Sequence, residues 1–277
     1  MQDSLRIVSL LERVLPEYVA PGFVQHSTWL QASPGIGLPS QQGFEGAVNP
    51  LVALLEESSG LSVTYWVMRQ QALNGDIDTL NDLAWVWLNG KYWRADPALA
   101  GRLLRIAALQ GSAAACFNLA QQHYFGRGVA VVYARVASFY RRAFDLGLVQ
   151  AAARLGDLYD EQANAADVEP DWQREPKRAF DWYLQGAHKG DAGCRFEVGY
   201  RLLHGVDVPR DLKAGQYWLE LAAVTGITAA AEELAVFHRF SGKTLRYLYW
   251  RDQAVSLGSE RAINMKADDQ LQVVQQA

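Results

Sequence analysis

The feature that most constrains this chain is a glycine that returns at a nearly fixed spacing. A period of 30 to 45 residues is typical of repeat proteins in which each repeat is one helix–turn–helix unit. A glycine can end a helix in the left-handed conformation at no steric cost, so each position predicts the end of a helix pair. The sequence therefore predicts an all-α fold, an α/α superhelical solenoid of tandem helix-turn-helix repeats. The glycines are Gly75, Gly111, Gly147, Gly190, Gly226 and Gly258, at intervals of 36, 36, 43, 36 and 32 residues.

Residues inside each period support this prediction. Small residues such as Ala107, Ala143 and Ala222 precede the closing glycine, where they let neighbouring helices approach closely. Large aromatic residues lie a few positions earlier and are expected to fill the wider gaps between helices. These aromatic residues are Phe139, Trp182, Trp218 and Trp250.

Acidic residues mark the expected starts of the second helices. Asp96 and Glu175 each precede a proline, and Asp211 holds the corresponding place in a later unit. Carboxylates are favoured helix N-caps, and proline suits the first helical turn. We expect these three residues to cap their helices.

The repeat resembles a known family, the Sel1-like repeat, which is a relative of the tetratricopeptide repeat. The resemblance extends over roughly residues 76 to 258 and implies a helical solenoid that binds a protein through its concave face. The residues that carry it most clearly are Leu119, Ala120, Gly126, Arg127, Gly128, Val129, Phe139, Tyr140, Ala143 and Gly147.

Outside the repeats the organisation is less regular. Leu5, Val8, Leu11 and Leu15 recur at helical spacing, which predicts one amphipathic helix ending at Pro16. Turn-forming residues follow, in a loop that either separates this helix from the solenoid or folds back along it. The predicted domains are 1–46 (N-terminal helix and Gly/Pro-rich loop), 47–258 (solenoid, with a degenerate pair 47–75 and repeats 76–111, 112–147, 148–190, 191–226 and 227–258) and 259–277 (capping helix and tail).

Composition excludes several classes of protein. Half of the 277 residues are apolar, which is incompatible with a disordered chain. The 26 basic and 30 acidic residues are mixed, so the net charge of −4 gives no broad basic face for nucleic acid. No apolar run reaches the roughly 18 residues of a membrane span.

The expected compartment is the cytoplasm. Cys116 and Cys194 are too few for a disulfide framework, and both fall among apolar helical residues. Charged residues interrupt the first fifteen positions, so these do not resemble a signal peptide. Removal of a signal peptide before Met1 would instead indicate the periplasm.

No motif for catalysis, metal binding or a cofactor emerges. The five histidines lack metal-ligand spacing, and His123 and His238 occupy positions expected to pack in the interior. We therefore predict a protein with no catalytic residue, no metal and no cofactor. The alternative is a hydrolytic or small-ligand site that uses Asp157, Asp160 and His204.

Two surfaces are predicted to bind a partner. The resemblance implies that the first helix of each pair lines the concave face. Aromatic residues would flank a central acidic patch there. The second surface is the enlarged loop 160–175, with six acidic residues. The concave-face residues are Asn81, Trp85, Asn89, Phe117, Gln121, Tyr124, Phe125, Asp157, Asp160, Glu161, Phe196, Tyr200, His204, Arg239 and Phe240; those of the loop are Glu169, Asp171 and Trp172.

The function these features favour is that of a non-enzymatic interaction module. Proteins with such repeats, the resemblance implies, act as regulatory adaptors or as bacterial immunity proteins that bind a secreted effector or toxin. Homodimerisation through Trp87, Tyr92 and Trp93 is a further hypothesis and is compatible with either role.

Overall fold

The computed structural model describes residues 2–16, 61–90, 94–161 and 172–276. Within these residues all the regular secondary structure is α-helical, which confirms the predicted fold class. Loop 16–46, apart from Pro16, and the first helix of the degenerate pair lie outside the described residues. The helices are α1 (Gln2–Val14), α2 (Leu61–Leu73), α3 (Ile77–Asn89), α4 (Pro97–Leu109), α5 (Ala113–Tyr124), α6 (Tyr133–Asp145), α7 (Ala151–Asp160), α8 (Pro176–His188), α9 (Ala192–His204), α10 (Leu212–Val224), α11 (Thr228–Phe240), α12 (Thr244–Ser256) and α13 (Glu260–Gln276).

The recurring glycines end the helices as predicted. All six have a positive φ, between 83° and 101°. At Gly111 the backbone N–H donates to the Ala108 carbonyl at 3.2 Å, and the N–H of Ser112 donates to the Ala107 carbonyl at 3.0 Å. This pair of bonds satisfies carbonyls that a helix end would otherwise leave open. The same two bonds recur at the other five glycines.

The residue after the glycine often starts the next helix. Asp76, Ser112, Asp191 and Ser259 each accept a hydrogen bond from the backbone N–H three positions ahead, at 2.8 to 3.1 Å. Two adjacent residues therefore end one helix and begin another, which keeps the connection short. We call this two-residue connection the glycine junction.

Capping of the second helices agrees only in part with the prediction. Asp96 and Asp211 accept the expected backbone hydrogen bonds, at 2.9 and 3.0 Å. Glu175 stands at the N-cap but makes no side-chain capping bond. Its carboxylate instead accepts from Arg178 at 2.8 Å, because its longer side chain reaches the next turn rather than its own backbone.

The aromatic positions require a correction by one residue. Trp250 is buried, but Phe139, Trp182 and Trp218 are only half-buried. The residues that follow two of them, Tyr140 and Tyr183, are each only 2% exposed. Adjacent residues point about 100° apart around a helix, so the core side of these helices lies one position further on.

The described residues form two compact units. The first contains those up to Ala151 together with Trp172, and the second contains residues 152–161 and 173–276. In the first unit α1 contacts α2 and α4, with Leu11 and Leu15 buried. The predicted N-terminal helix is thus part of this unit's core.

Two further findings concern the cysteines and the helix lengths. Cys116 and Cys194 are buried and unpaired. None of the helices in the described ranges has the length and apolar character that crossing a bilayer requires.

The glycine junction predicts opposite effects for one substitution at two nearby sites. Gly190→Ala should lower the free energy of unfolding by about 1–2 kcal/mol, because φ is 98° there and an L-residue is strained. Gly193→Ala, inside α9, should raise it by about 0.5–1 kcal/mol, because alanine is the better helix former. Urea denaturation measures both variants. Equal signs would contradict the assigned role of Gly190.

Candidate functional site

Four aromatic side chains meet in the first unit. Tyr124 ends α5, Phe125 follows it, Tyr133 begins α6, and Trp172 precedes α8. The ring centroids of Tyr124 lie 5.0 Å from Phe125 and 6.1 Å from Tyr133, and those of Tyr133 and Trp172 lie 5.5 Å apart. We call these four residues the aromatic cluster. It contains residues that were predicted to lie on two separate surfaces, Tyr124 and Phe125 on the concave face and Trp172 in the enlarged loop.

The linker between α5 and α6 makes this meeting possible. Gly126 and Gly128 have φ values of 63° and 68°, so the chain reverses within a few residues and brings the end of α5 near the start of α6. A Cβ at Gly128 would lie 2.8 Å from the Pro97 Cβ, which shows how closely the linker approaches α4.

A cation is fixed beside the cluster by the same linker. The Arg127 guanidinium carbon lies 5.2 Å from the centroid of the Phe125 ring, within cation–π range. Its Nη1 donates to Asn89 Oδ1 at 3.0 Å, and Asn89 Nδ2 in turn donates to the Trp85 carbonyl at 2.8 Å. Burial lowers the pKa of Arg127, since the guanidinium is partly removed from water. The predicted site residues Trp85 and Asn89 therefore position the guanidinium.

The cluster remains accessible. Phe125 is 46% exposed, and the other three rings are half-buried. Aromatic side chains held by neighbours, together with an arginine, are the residue types that contribute most energy at protein interfaces. The arrangement can provide apolar contact area and a directed hydrogen-bond donor.

Tyr133 and Arg127 were missed as candidate site residues. The predicted concave face is built from first helices, whereas Tyr133 begins a second helix and Arg127 lies in the linker. A signal was present, because Arg127 belongs to the Gly-Arg-Gly turn of the repeat pattern.

Three residues that were predicted to bind a partner in the first unit are buried or hydrogen-bonded to neighbouring side chains. Asn81 is 9% exposed and accepts from Asn118 at 2.9 Å, and Phe117 is 5% exposed. Gln121 donates to the Tyr140 hydroxyl at 2.7 Å. Placing Asn81 and Phe117 on a partner-binding face was wrong. Asn81 faces the first helix of the next pair, α5, and Phe117 packs on Tyr140 of α6 with 5.1 Å between ring centroids; spacing along the chain does not reveal either contact.

The predicted acidic patch is largely neutralised in the second unit. Asp157 accepts from the Tyr183 hydroxyl at 2.8 Å and from Arg154 at 3.1 Å. Burial raises the pKa of Asp157, and these two partners only partly offset the effect. Gly156 gives the Tyr183 ring the space to reach Asp157, since a Cβ there would clash with the ring. Asp157 is thus part of the packing between α7 and α8.

Asp160 is held by two arginines. Its carboxylate lies 2.6 Å from Arg201 and 2.7 Å from Arg174. Burial would raise the pKa of Asp160, but the hydrogen bonds and charges of Arg201 and Arg174 hold it below its usual value. Both arginines also pair with Asp207, with 3.5 Å between Arg201 and Asp207. We call Asp160, Arg174, Arg201 and Asp207 the charge network; it replaces the open acidic surface that the sequence predicted.

The charge network closes the base of the enlarged loop, because Asp160 and Arg174 stand on its two sides. Glu161 is half-buried, and its backbone N–H donates to the Asp157 carbonyl at 3.0 Å. Glu169 and Asp171 lie outside the described residues, so their assignment to a binding surface stays a prediction.

The remaining predicted residues of the second unit are more exposed. Phe196, Tyr200 and His204 follow one face of α9, with centroid distances of 6.0 and 4.5 Å. His204 Nε2 lies 2.9 Å from Glu233, so the hydrogen bond of its ring goes to α11 rather than to Asp157 or Asp160. Their role in binding stays a prediction.

The end of α11 carries the last two predicted residues. Phe240 is 86% exposed. Arg239 lies 4.0 Å from Asp269, and its guanidinium carbon lies 5.6 Å from the Tyr247 ring centroid.

The histidines expected in the interior are found there. His123 is 8% exposed and stacks on Phe139 with 5.5 Å between centroids. His238 is fully buried, and neither ring nitrogen has a hydrogen-bond partner. Among the described residues, no group of three or more His, Cys, Asp or Glu side chains could hold a metal ion.

Comparison with known families identifies tandem helical repeats of one type. The Sel1 repeat matches four times, at residues 78–112, 113–148, 149–191 and 192–223. These matches cover more than half of the chain, and the chain belongs to the Sel1 repeat family. Sel1 repeats are protein-interaction modules. The pair α11–α12 lies beyond the matched residues. Comparison with curated proteins gave no match.

Solved structures support the fold. A protective antigen of uropathogenic Escherichia coli with an SLR fold has a TM-score of 0.58 and 21% identity, over 72% of this chain and 42% of its own. This chain thus spans less than half of that antigen's length. A Sel1 repeat protein from Oxalobacter formigenes has a TM-score of 0.56 and 23% identity, over 69% and 77% of the two chains.

A third solved structure is that of an immunity protein from Pseudomonas aeruginosa. It has a TM-score of 0.41 and 21% identity, over 68% of each chain. At such values the similarity carries no argument about function.

The charge network predicts unequal costs for removing its two arginines. Arg201→Met should lower the free energy of unfolding by roughly 1.5–3 kcal/mol, since its side chain is 7% exposed and its loss removes charged contacts to Asp160, Asp207 and Glu197, of which Arg174 keeps only the first two. Arg174→Met should cost roughly 0–1 kcal/mol, because its side chain is 33% exposed and Asp160 keeps Arg201. Chemical denaturation compares them. Equal losses would show that the two arginines do not differ in this way.

His238 predicts a specific pH dependence of stability. Burial, then the charges of Arg246 and Lys243, lower its pKa below the usual 6.5. The unfolded chain therefore binds this proton more readily, and wild type loses stability as the pH falls below about 6.5. His238→Leu should remove that loss and leave stability at pH 7 equal or higher, because no hydrogen bond is broken.

The measurement is the difference in unfolding free energy between His238→Leu and wild type, taken between about pH 7 and pH 5. Other titrating groups cancel in this difference. A difference that does not grow as the pH falls would contradict the assignment.

Proposed function

We propose that this protein binds another protein through the aromatic cluster of its first unit. The observation that carries the proposal is that the end of α5, the start of α6 and the segment before α8 bring Tyr124, Phe125, Tyr133 and Trp172 into contact at an accessible surface. The Sel1 repeat family, whose repeats are protein-interaction modules, is consistent with it.

The geometry suits recognition because the side chains of the cluster are already ordered before a partner binds. Each ring packs on another, and Arg127 is held by Asn89, so few rotamers remain to be fixed on binding. Phe125 offers the most accessible ring, and Arg127 adds a donor next to it. A partner with an apolar side chain beside an acceptor group would match this surface.

A non-catalytic role is part of the proposal. The residues of the alternative enzymatic site have other partners: Asp157 contacts Tyr183 and Arg154, Asp160 belongs to the charge network, and His204 contacts Glu233. These contacts favour a structural use of the three residues. On the second unit we propose the exposed residues of α9 and α11, among them Tyr200 and Phe240, as further contacts with the partner.

The narrower form of the proposal is that the partner is a secreted bacterial effector, which this protein inhibits. Its support is the resemblance of the repeats to Sel1-like proteins that include immunity proteins. A regulatory adaptor would use the same surface but leave the partner active. The two roles differ in one measurable property, the activity of the bound partner.

The test is affinity capture with mass spectrometry, followed by calorimetry on the purified pair. Tyr124→Ala with Phe125→Ala should weaken binding by about 30-fold or more, since an aromatic anchor is worth about 2 kcal/mol at an interface. The matched control is Leu109→Ala, which removes a side chain that is 77% exposed and lies outside the cluster.

Circular dichroism establishes that each variant is folded. Equal affinity of the double variant and the control would refute the role of the cluster. Loss of the partner's own activity at saturation would support inhibition, and retained activity would support an adaptor.

A further inference from the structure

The second unit carries exposed cations at the starts of its second helices. Lys177 lies in the first turn of α8, Lys213 in that of α10 and Arg246 in that of α12, while Arg210 and Lys243 lie just before α10 and α12. None of the five forms an ion pair with a described residue. We call these five residues the cationic row.

The acidic residues near the row are fewer than its cations, and two of them form ion pairs. Asp211 accepts from two backbone N–H groups at the start of α10, both at 3.0 Å. Glu175 pairs with Arg178 at 2.8 Å, and Asp207 pairs with Arg174. The exposed helix starts add further positive potential. Asp211 keeps its negative charge, and Asp181 lies one turn after Lys177, so the five cations outnumber the two acidic residues beside them that form no ion pair with a described residue. The row therefore keeps an excess of positive charge.

The row follows the order of the repeats. The contact between Arg174 and Asp207 joins the linker before α8 to the linker before α10. Helices α9 and α11 contact each other, so the pairs α9–α10 and α11–α12 are neighbours. Packed helices lie about 8–10 Å apart, whereas an extended chain advances about 3.3 Å per residue. The second helices are separated at least this far, so an extended segment laid along the row would meet successive helix starts at intervals of about three residues or more.

Apolar side chains lie among the cations. Val206, Leu212 and Leu245 are 37%, 40% and 83% exposed. A surface built only to hold phosphates or a nucleic-acid backbone has no use for exposed leucines, whereas a peptide segment can cover them with its own side chains. The combination favours a peptide with both acidic and apolar residues.

We propose that the cationic row binds an extended acidic segment of a protein partner, with carboxylates about three or more residues apart and apolar residues between them. The inference rests on the proposed function in that the partner is a protein, but it concerns a different surface. It assigns a chemical class to the partner that the aromatic cluster leaves open.

The sequence did not reveal this surface, because its members come from three repeats. Lys177 and Arg246 are far apart in the chain, and acidic residues intervene between them. Only the repeat places these residues at equivalent positions, at the starts of successive second helices.

The test is fluorescence anisotropy with the full chain and a labelled peptide, Glu-Leu-Ser repeated three times. A second peptide of the same composition has its three glutamates adjacent, and a third has lysine in place of glutamate. We expect the spaced acidic peptide to bind most tightly and the lysine peptide not to bind. Affinity for the spaced peptide should fall as salt is added, because exposed charges are screened.

Lys213→Glu with Arg246→Glu should weaken binding of the spaced peptide at least about tenfold. The matched control, Arg102→Glu with Arg135→Glu, changes the net charge equally on exposed residues of the first unit and should leave binding unchanged. Thermal melts establish that both variants fold.

Several outcomes would overturn the proposal. These are equal binding by the two double variants, equal binding of the adjacent and spaced acidic peptides, and no binding of the spaced peptide by wild type. Tighter binding to vesicles of phosphatidylcholine and phosphatidylserine than to the peptide would assign the row to membranes instead. The aromatic-cluster variant could lose partner capture while Lys213→Glu with Arg246→Glu captures the partner as wild type does. In that case the proposed function stands and this inference fails.

Discussion

The structure depends on the glycine junction between one helix pair and the next. A glycine with φ near 95° lets two backbone N–H groups return to the preceding helix, and in four cases the next residue caps the following helix. Both helix ends are thereby satisfied within two residues. Within each unit the connection is too short to vary much in direction, so the next pair starts in a defined orientation and the small residues near the glycine can pack closely.

The opposite connection, between the first and second helix of a pair, has more freedom, and the candidate sites lie there. It holds Arg127 in one repeat, the enlarged loop with Arg174 in another, and Asp207 with Arg210 in a third. The length and composition of this linker can vary without disturbing the junctions, because the helices on either side are already fixed. Within each unit, this explains how a uniform scaffold presents an aromatic cluster in one place and a charge network in another.

Much of the fold was predictable because it depends on local rules. The glycine period, the capping aspartates at Asp96 and Asp211, and the interior histidines all follow from the backbone conformation or the helical face of a single segment. The site was less predictable. Asn81 and Phe117 share the frame position of half-buried residues in other repeats, such as Phe196, yet they are buried, because burial depends on which residues of neighbouring helices lie opposite. Glu175 shows that even a cap is decided by the length of one side chain.

The sequence by itself determined the repeat, its helix boundaries, the closing glycines and the family. These depend on backbone conformation and on spacing along the chain, which a sequence records directly. Only the tertiary structure decided that Trp172 meets Tyr133, that Arg174 and Arg201 neutralise Asp160, and that Phe125 remains exposed. Each of these depends on a contact between residues from different helices or linkers, and the free energy of such a contact is set by distance in space, which spacing along the chain does not fix.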